Sequence, residues 1–448
     1  MVRSLFQHVW RSLRDDSLVR KVTRNASYLL SSSMIASGLG FVQSVVVARA
    51  LGVGNYGLWA MITTYVMFVR QIVDFRVWET VTRYVSEFWV AGDKARTAAT
   101  VKLAYLIDLL TGVLSFLIAI AAVPIAARLL HQPTLAAYVW IVALGSLFTT
   151  INGTSLGILR VFDRFTWISY EEVGRSVFSL AIVSAAVFLG LGLTGIAAAY
   201  TVTSLASGIV LTMFSLSVVR RNLSKAMGDG KISLLRDRYR EIAGFLFHTN
   251  VNALWPMITR SLDILILGHF RSSAETGYFH LAKNFASLVV MIQDPLYYSI
   301  FPEITKLWAA GDSKAFFRFL RKLTVLTMAA FIPLGVVITL VAGPFVNIVY
   351  GIEYANAVPA LYIMVWGVIA AGIAIWMRPV VIAIGKPHVG NIVGGIGAAL
   401  FVIGSLIAVP VWGYLGSAVL FVVPKAAGVA LLGWYLTVYF RRHGGGIE

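Results

Sequence analysis

Trp89-Val90-Ala91-Gly92-Asp93 returns 219 residues later as Trp308-Ala309-Ala310-Gly311-Asp312. Each copy sits in a short polar, basic break between long apolar runs. In a chain of 448 residues that is 58% hydrophobic, a repeat at half-length predicts two similar membrane-embedded halves. The repeat reaches beyond the motif. Asp74 corresponds to Asp294, Lys102 to Arg321 and Pro124 to Pro344, and the turn Asn55-Tyr56-Gly57 has a counterpart in Glu275-Thr276-Gly277.

Composition agrees with a membrane location. Only 13% of residues are charged, against roughly 25% in soluble domains, and the mean hydropathy is +0.81. About twelve apolar runs are long enough to cross the ~30 Å hydrocarbon layer as helices. The first covers 27–49 and the last 415–440. The chain therefore reads as an all-α polytopic membrane protein. Six helices per half give the halves the same orientation, so their pseudo-two-fold axis is expected along the membrane normal.

Lys and Arg set the orientation. The terminal segments and alternate loops hold 27 of them, while the opposite side has three, Arg49, Arg128 and Arg271. Both termini are thus expected in the cytoplasm. The predicted organisation is a basic segment over 1–24, an N-lobe over 25–219, a linker over 220–240, a C-lobe over 241–440 and a tail over 441–448. In the first segment Leu5, Phe6, Val9, Trp10 and Leu13 recur at helical spacing among arginines. That pattern fits either a helix lying on the inner surface or a loosely ordered basic tail; it lacks the compact apolar core of a cleaved signal peptide. The net charge of +17 is accounted for by these one-sided loops. With no recognition module in view, nucleic acid is not an expected partner. The absence of cysteine excludes disulfides, thiolate metal sites and cysteine nucleophiles. An intramembrane glycosyltransferase or ligase is disfavoured, because there is no Asp-x-Asp pair, no metal-spaced His cluster and no Gly-rich phosphate loop. No metal site is expected.

Ionisable side chains inside spanning helices are costly and are functional candidates by default. Arg70 and Asp74 share a helix face, as do Arg260 and Asp263, and Glu171 or Glu172 with Arg175. Each set either neutralises itself or lines a water-filled cavity. Lys283, Arg378 and Lys425 have no acidic neighbour on their own helices, so another helix, water or substrate must meet their charge. Lys283 has His280 and Asn284 beside it. Arg378 can also snorkel to the cytoplasmic end. Arg49 either caps its own helix terminus or contributes to a site. Asp108 is a lone acid, a candidate for proton or sodium coupling or for an inter-helix hydrogen bond, and Asp294 is the counterpart of Asp74 in the second half. Asn250, Asn252 and His248 can bond sugar hydroxyls or join helices.

Several stretches resemble a known family. Ala48-Arg49-Ala50-Leu51-Gly52 with Asn55-Tyr56-Gly57, Asp74-Phe75 with Arg83-Tyr84, and Asp263-Ile264-Leu265-Ile266-Leu267-Gly268 with Gly277-Tyr278 are similar to the polysaccharide and lipid-linked oligosaccharide flippases. These form part of the multidrug/oligosaccharidyl-lipid/polysaccharide exporter superfamily. One departure is Arg76, where the family has a small residue, often Gly. Twelve rather than fourteen helices favour the O-antigen or exopolysaccharide type over the lipid II type. The resemblance implies a transporter, not an enzyme, in the cell membrane. Its cargo would be a polyprenyl-(pyro)phosphate-linked oligosaccharide, and its cationic central cavity would work by alternating access. Arg49, Arg70, Arg260, Lys283, Arg378 and Lys425 are the cavity candidates, since Arg and Lys suit phosphate oxygens. Asp74, Asp108, Asp263, Asp294 and Glu171 are the coupling or ion-pair candidates. No cofactor is expected beyond a coupling proton or sodium ion. Expected partners are the bilayer and the glycosyltransferases and polymerase of the same pathway, with the protein itself a monomer. A multidrug or organic-cation antiporter of the same superfamily is the nearest alternative.

Overall fold

The computed structural model describes residues 17–74, 76–224 and 226–442. The expected surface helix at the N-terminus falls mainly on residues outside that set, as does most of the 441–448 tail. Side chains of Arg260, Asp294, His248 and Asn252 are likewise outside it. Among the described residues the fold is all-helical. The principal helices are α1 (Ser17–Val73), α2 (Lys94–Ala121), α3 (Val123–Leu129), α4 (Leu135–Thr150), α5 (Asn152–Val161), α6 (Phe165–Phe188) and α7 (Gly192–Leu223). They continue with α8 (Tyr239–Phe270), α9 (Ser273–Ala309), α10 (Ser313–Val349), α11 (Ala357–Ile373), α12 (Met377–Ala383) and α13 (Pro387–Arg442). Helices satisfy every backbone polar group within the segment, as hydrocarbon requires.

Among the described residues seven helical stretches are long and apolar enough to cross a membrane. Two of them, 47 and 56 residues long, are double-length. Each bends where a glycine leaves helical geometry, Gly52 in α1 and Gly413 in α13. Helix α6 falls short of that apolarity because it carries Glu171, Glu172 and Arg175; α8 and α9 carry Asp263 and Lys283. The expected break near Pro124 is present: α2 stops at Ala121 and α3 restarts with Pro124 in its first turn, where its missing N–H costs nothing.

The repeated motif builds the same turn twice. Gly92 and Gly311 both adopt the left-handed conformation (φ 76° and 69°), which closes the preceding helix. In the first copy Gly92 N–H donates to the Trp89 carbonyl and Asp93 N–H to that of Phe88; in the second, Gly311 N–H donates to Trp308. Each Asp then caps the next helix. Asp93 Oδ1 accepts from Arg96 N–H and Asp312 Oδ1 from Ala315 N–H, both at 2.9 Å. Trp89 packs on Phe162, and Trp308 on Phe316 and Phe440.

The chain divides into two compact units. One comprises Val73–Ile118 and Ile141–Asn250 with the described residues up to Ser44. Its apolar core gathers Val81, Tyr84, Phe88, Ile158 and Leu235. The segment 220–240 belongs to this unit and is docked rather than loose. Arg238 pairs with Glu87 at 2.9 Å and Arg96 with Asp237 at 3.1 Å. Lys102 Nζ donates to the carbonyls of Met227 and Gly230 at 2.6 and 2.9 Å. Bonds from Glu87 and Glu241 hold the Arg238 guanidinium above its ordinary, already high pKa.

The other unit comprises Val45–Ile72, Ala119–Trp140 and the chain from Val251 onward. Within it the second stretch of α1 crosses α9 at Gly57 and Gly277, the two glycines that the repeat makes equivalent. A Cβ on Gly57 would lie 1.7 Å from the Ser273 carbonyl oxygen, and one on Gly277 would lie 2.4 Å from that of Val53. Only hydrogen fits at either position, as at small-residue crossings of membrane helices. Replacing Gly57 or Gly277 with Val should destabilise the fold by about 1–3 kcal/mol or more. Gly40→Ala, where no atom lies within 4 Å of the new Cβ, should not. Thermal unfolding of the three purified variants checks this contrast.

Candidate functional site

Several of the intramembrane charges belong to two polar clusters, one in each unit. In the first unit Asp108, 1% exposed, accepts the Thr154 N–H at 2.9 Å. Thr154 lies in the first turn of α5, where α4 has ended and backbone N–H groups need acceptors. A carboxylate at that position also suits the helix dipole. Gly153 makes room for it, since a Cβ there would lie 3.5 Å from Asp108 Oδ2. One turn back on α2, the Tyr105 hydroxyl bonds Ser155 at 3.0 Å and makes a short contact with Ser215. Ser207 donates to Glu171 Oε1 at 2.5 Å and Asn152 reaches Ser207 at 3.4 Å. Arg175 lies 3.8 Å from Glu171, as their spacing on α6 predicts. Glu172 is met instead by the hydroxyls of Ser32 and Ser33, at 2.6 and 2.9 Å.

At the end of α1, Asp74 Oδ1 accepts the Arg76 N–H at 2.9 Å, and the Asp74 carbonyl accepts Asn250 Nδ2 at 2.5 Å. Arg76 is left-handed (φ 49°). That geometry gives a physical reason for a glycine at the position, because a side chain there costs roughly 1–2 kcal/mol. Arg76 recovers part of that cost through Glu79 at 2.6 Å and the Trp78 ring. Arg70 is half-buried and takes part in an interaction of its own.

The second unit holds Lys283. Its ammonium lies 2.7 and 2.9 Å from the two carboxylate oxygens of Asp263. Asp263 is 1% exposed and Lys283 17% by side chain. The charge is thus met by another helix, α8. Around this pair, Asn284 Nδ2 donates to the Tyr56 hydroxyl at 3.0 Å and lies 3.4 Å from His280 Nε2. The His280 ring stands 5.1 Å from that of Tyr56, and Tyr56 is edge-on to Tyr354 at 6.0 Å. His280 Nδ1 is buried without a hydrogen-bond partner among the described residues. Tyr56 comes from the first half of the sequence and the other residues from the second, so the cluster stitches the two halves. The Tyr56 side chain was not among the sequence candidates; its place in the Asn55-Tyr56-Gly57 turn was the available signal.

The remaining candidates do not join this cluster by any described contact. Arg49 donates to the Ile348 carbonyl at 3.2 Å, capping the C-terminus of α10 rather than that of its own segment. Lys425 Nζ donates to the Phe421 carbonyl at 2.7 Å and stands 3.5 Å over the Phe421 ring. Arg378 is exposed in the first turn of α12. Its ion pairs and hydrogen bonds, among the described residues, are none.

Residues 22–308 match the polysaccharide biosynthesis protein family. The chain belongs to that family. With seven helices long and apolar enough to cross a membrane among its described residues, it is a multi-pass membrane protein. Inner membrane protein YghQ of Escherichia coli is 23% identical over 76% of this chain and 96% of its own length. Among solved structures, an inward-facing multidrug resistance MATE family transporter of the MOP superfamily superposes with a TM-score of 0.73. The identity is 14%, over 92% of this chain and 97% of that one. The lipid II flippase MurJ, in an inward closed conformation, gives 0.66 at 17% identity over 91% and 87%. At these identities the two solved structures establish the fold that this family member shares with them.

The Lys283–Asp263 pair generates a double-mutant prediction. Asp263→Leu alone leaves a buried ammonium and should cost about 3–5 kcal/mol. Adding Lys283→Met should restore most of that loss, read as recovery of the unfolding temperature.

Proposed function

We propose that this chain flips a polyprenyl-(pyro)phosphate-linked oligosaccharide from the cytoplasmic to the outer leaflet, for cell-surface glycan assembly. Family membership supports the class of cargo. The observation that carries the reading to residues is Lys283. It is a largely buried ammonium beside hydroxyl, amide and imidazole groups, paired with the Asp263 carboxylate on another helix. A pyrophosphate oxygen can replace the Asp263 carboxylate as its partner, because both are anionic acceptors for the same charge-assisted bond. Such an exchange keeps the ammonium paired, and the freed Asp263 carboxylate then takes up a proton or a cation so that it is not left as a lone buried charge. Tyr56 and Asn284 supply donors suited to sugar or phosphate oxygens.

Alternating access would come from movement of an N-lobe, 25–219, against a C-lobe, 241–440, about the 220–240 segment. Arg49, Arg70, Arg260, Arg378 and Lys425 remain proposed contributors to a cationic path. Asp108 and Glu171 are proposed as the groups that take up a coupling proton or sodium ion, with Asp74 and Asp294 as further candidates. Glycosyltransferases and a polymerase of the same pathway are the proposed functional partners.

The test uses the full chain in vesicles with a fluorescent polyprenyl-pyrophosphate-linked oligosaccharide. The wild type should expose label to an external quencher in time. The Asp263→Leu/Lys283→Met variant should retain its unfolding temperature and lose flipping at least about tenfold, the equivalent of one charge-assisted bond of about 1.5–3 kcal/mol. Full flipping by this variant would remove Lys283 from the site. Transport of organic cations in place of the glycolipid would support the antiporter reading instead. If Asp108 takes up the coupling ion, Asp108→Asn should abolish the dependence of flipping on proton and sodium gradients.

A further inference from the structure

A cavity of about 410 Å³ opens in the second unit, away from Lys283 and its neighbours. Its walls come from four segments: Tyr65 and Phe68 of α1, Ile125 and Leu129 of α3, Ile266 of α8 and Leu406 of α13. The volume lies in the range of pockets that enclose small ligands, roughly 300–1,000 Å³. The few polar atoms on the walls are already engaged. The Tyr65 hydroxyl donates to the Ala119 carbonyl at 2.8 Å. His269 Nδ1 lies 2.5 Å from the Leu129 carbonyl, which can only accept, so the nitrogen carries the proton. A space with its donors spent on its own backbone favours hydrocarbon over a hydrated or polar guest. Ile125 and Leu129 at its rim are 61% and 54% exposed, which leaves the cavity open toward a lipid-facing surface.

One end of this groove is basic. Arg128 directly precedes Leu129, and His131 follows it in the same turn, its ring 5.6 Å from that of His269. Only three Lys or Arg fall in the loops of this sparsely charged side, namely Arg49, Arg128 and Arg271. Arg49 is bound to the Ile348 carbonyl, and Arg271 to the carbonyls of Val409, Pro410 and Val411. Arg128 differs: it is exposed and its guanidinium makes no hydrogen bond or ion pair with any described residue. An apolar slot with an unengaged guanidinium and two imidazoles at one end has the chemistry of a phospholipid turned inside out. We propose that the groove is a binding site for an anionic phospholipid of the bilayer, one acyl chain lying along Phe68, Ile125 and Ile266. The lipid phosphate is held by Arg128 with His131. The walls come from both halves of the sequence, so one bound chain touches both.

The experiment uses the full-length protein purified in detergent and titrated separately with phosphatidylglycerol and phosphatidylcholine, bound lipid being counted by native mass spectrometry. One phosphatidylglycerol should bind at least tenfold more tightly than phosphatidylcholine. Arg128→Gln/His131→Gln should abolish that preference, and Ile125→Trp, which fills the slot, should remove the bound lipid. Phosphatidylglycerol carrying a mid-chain diazirine should label peptides over 122–130 and 262–270 in the wild type, which needs no variant to fold. Equal affinity for the two lipids would overturn the proposal, as would full binding by Ile125→Trp or labelling confined to other helices. Displacement of the lipid by equimolar polyprenyl phosphate would also overturn it, assigning the groove to the tail of the transported glycolipid.

Discussion

A charge inside hydrocarbon must have a partner, and this chain is arranged around that requirement. Lys283 is held by Asp263, Glu171 by Ser207 and Arg175, Glu172 by Ser32 and Ser33, and Asp108 by the first turn of α5. Each partner lies on a different helix, with Arg175 the exception. The charges therefore fix which helices are neighbours, in a medium that offers little hydrophobic drive to sort apolar surfaces.

The same requirement explains what could be read from the sequence and what could not. Topology follows from apolar run length and from the Lys and Arg asymmetry, both one-dimensional signals. The duplicated turn was legible down to its chemistry, since a left-handed Gly followed by a capping Asp is a local arrangement. Partner choice was not local. Asp263 pairs with Lys283, twenty residues on and on the next helix, a partner that spacing along one helix does not reveal. Glu172 is spaced to meet Arg175, yet two serines on α1 take it. Helical spacing identifies candidates for pairing, whereas packing selects among them. Arg49 shows the converse, where a capping role was foreseen but the capped helix is 299 residues away. Arg76 was visible as a departure from the family pattern, and its left-handed backbone supplies the reason that a small residue suits the site.

The match to multidrug and lipid-flippase structures at 14% and 17% identity fits this division of labour. What such proteins share is the placement of apolar runs, small crossing residues and turns, which many sequences satisfy. Cargo is decided by a handful of polar side chains inside the frame, and these can change without disturbing it.

The crossing of Gly57 with Gly277 has an evolutionary side. Equivalent positions of two repeats can touch only at or near their symmetry axis. In a six-helix ancestor that paired with itself, a single glycine codon would have served both faces of that contact, as in any isologous dimer. A substitution there would have struck the interface twice at once. Joining the two copies in one chain halves that burden and lets the two sides drift apart. The flanking residues record the drift: Asn55 and Tyr56 stand on one side of the axis, and Glu275 and Thr276 on the other. The glycine is the residue that neither copy was free to exchange.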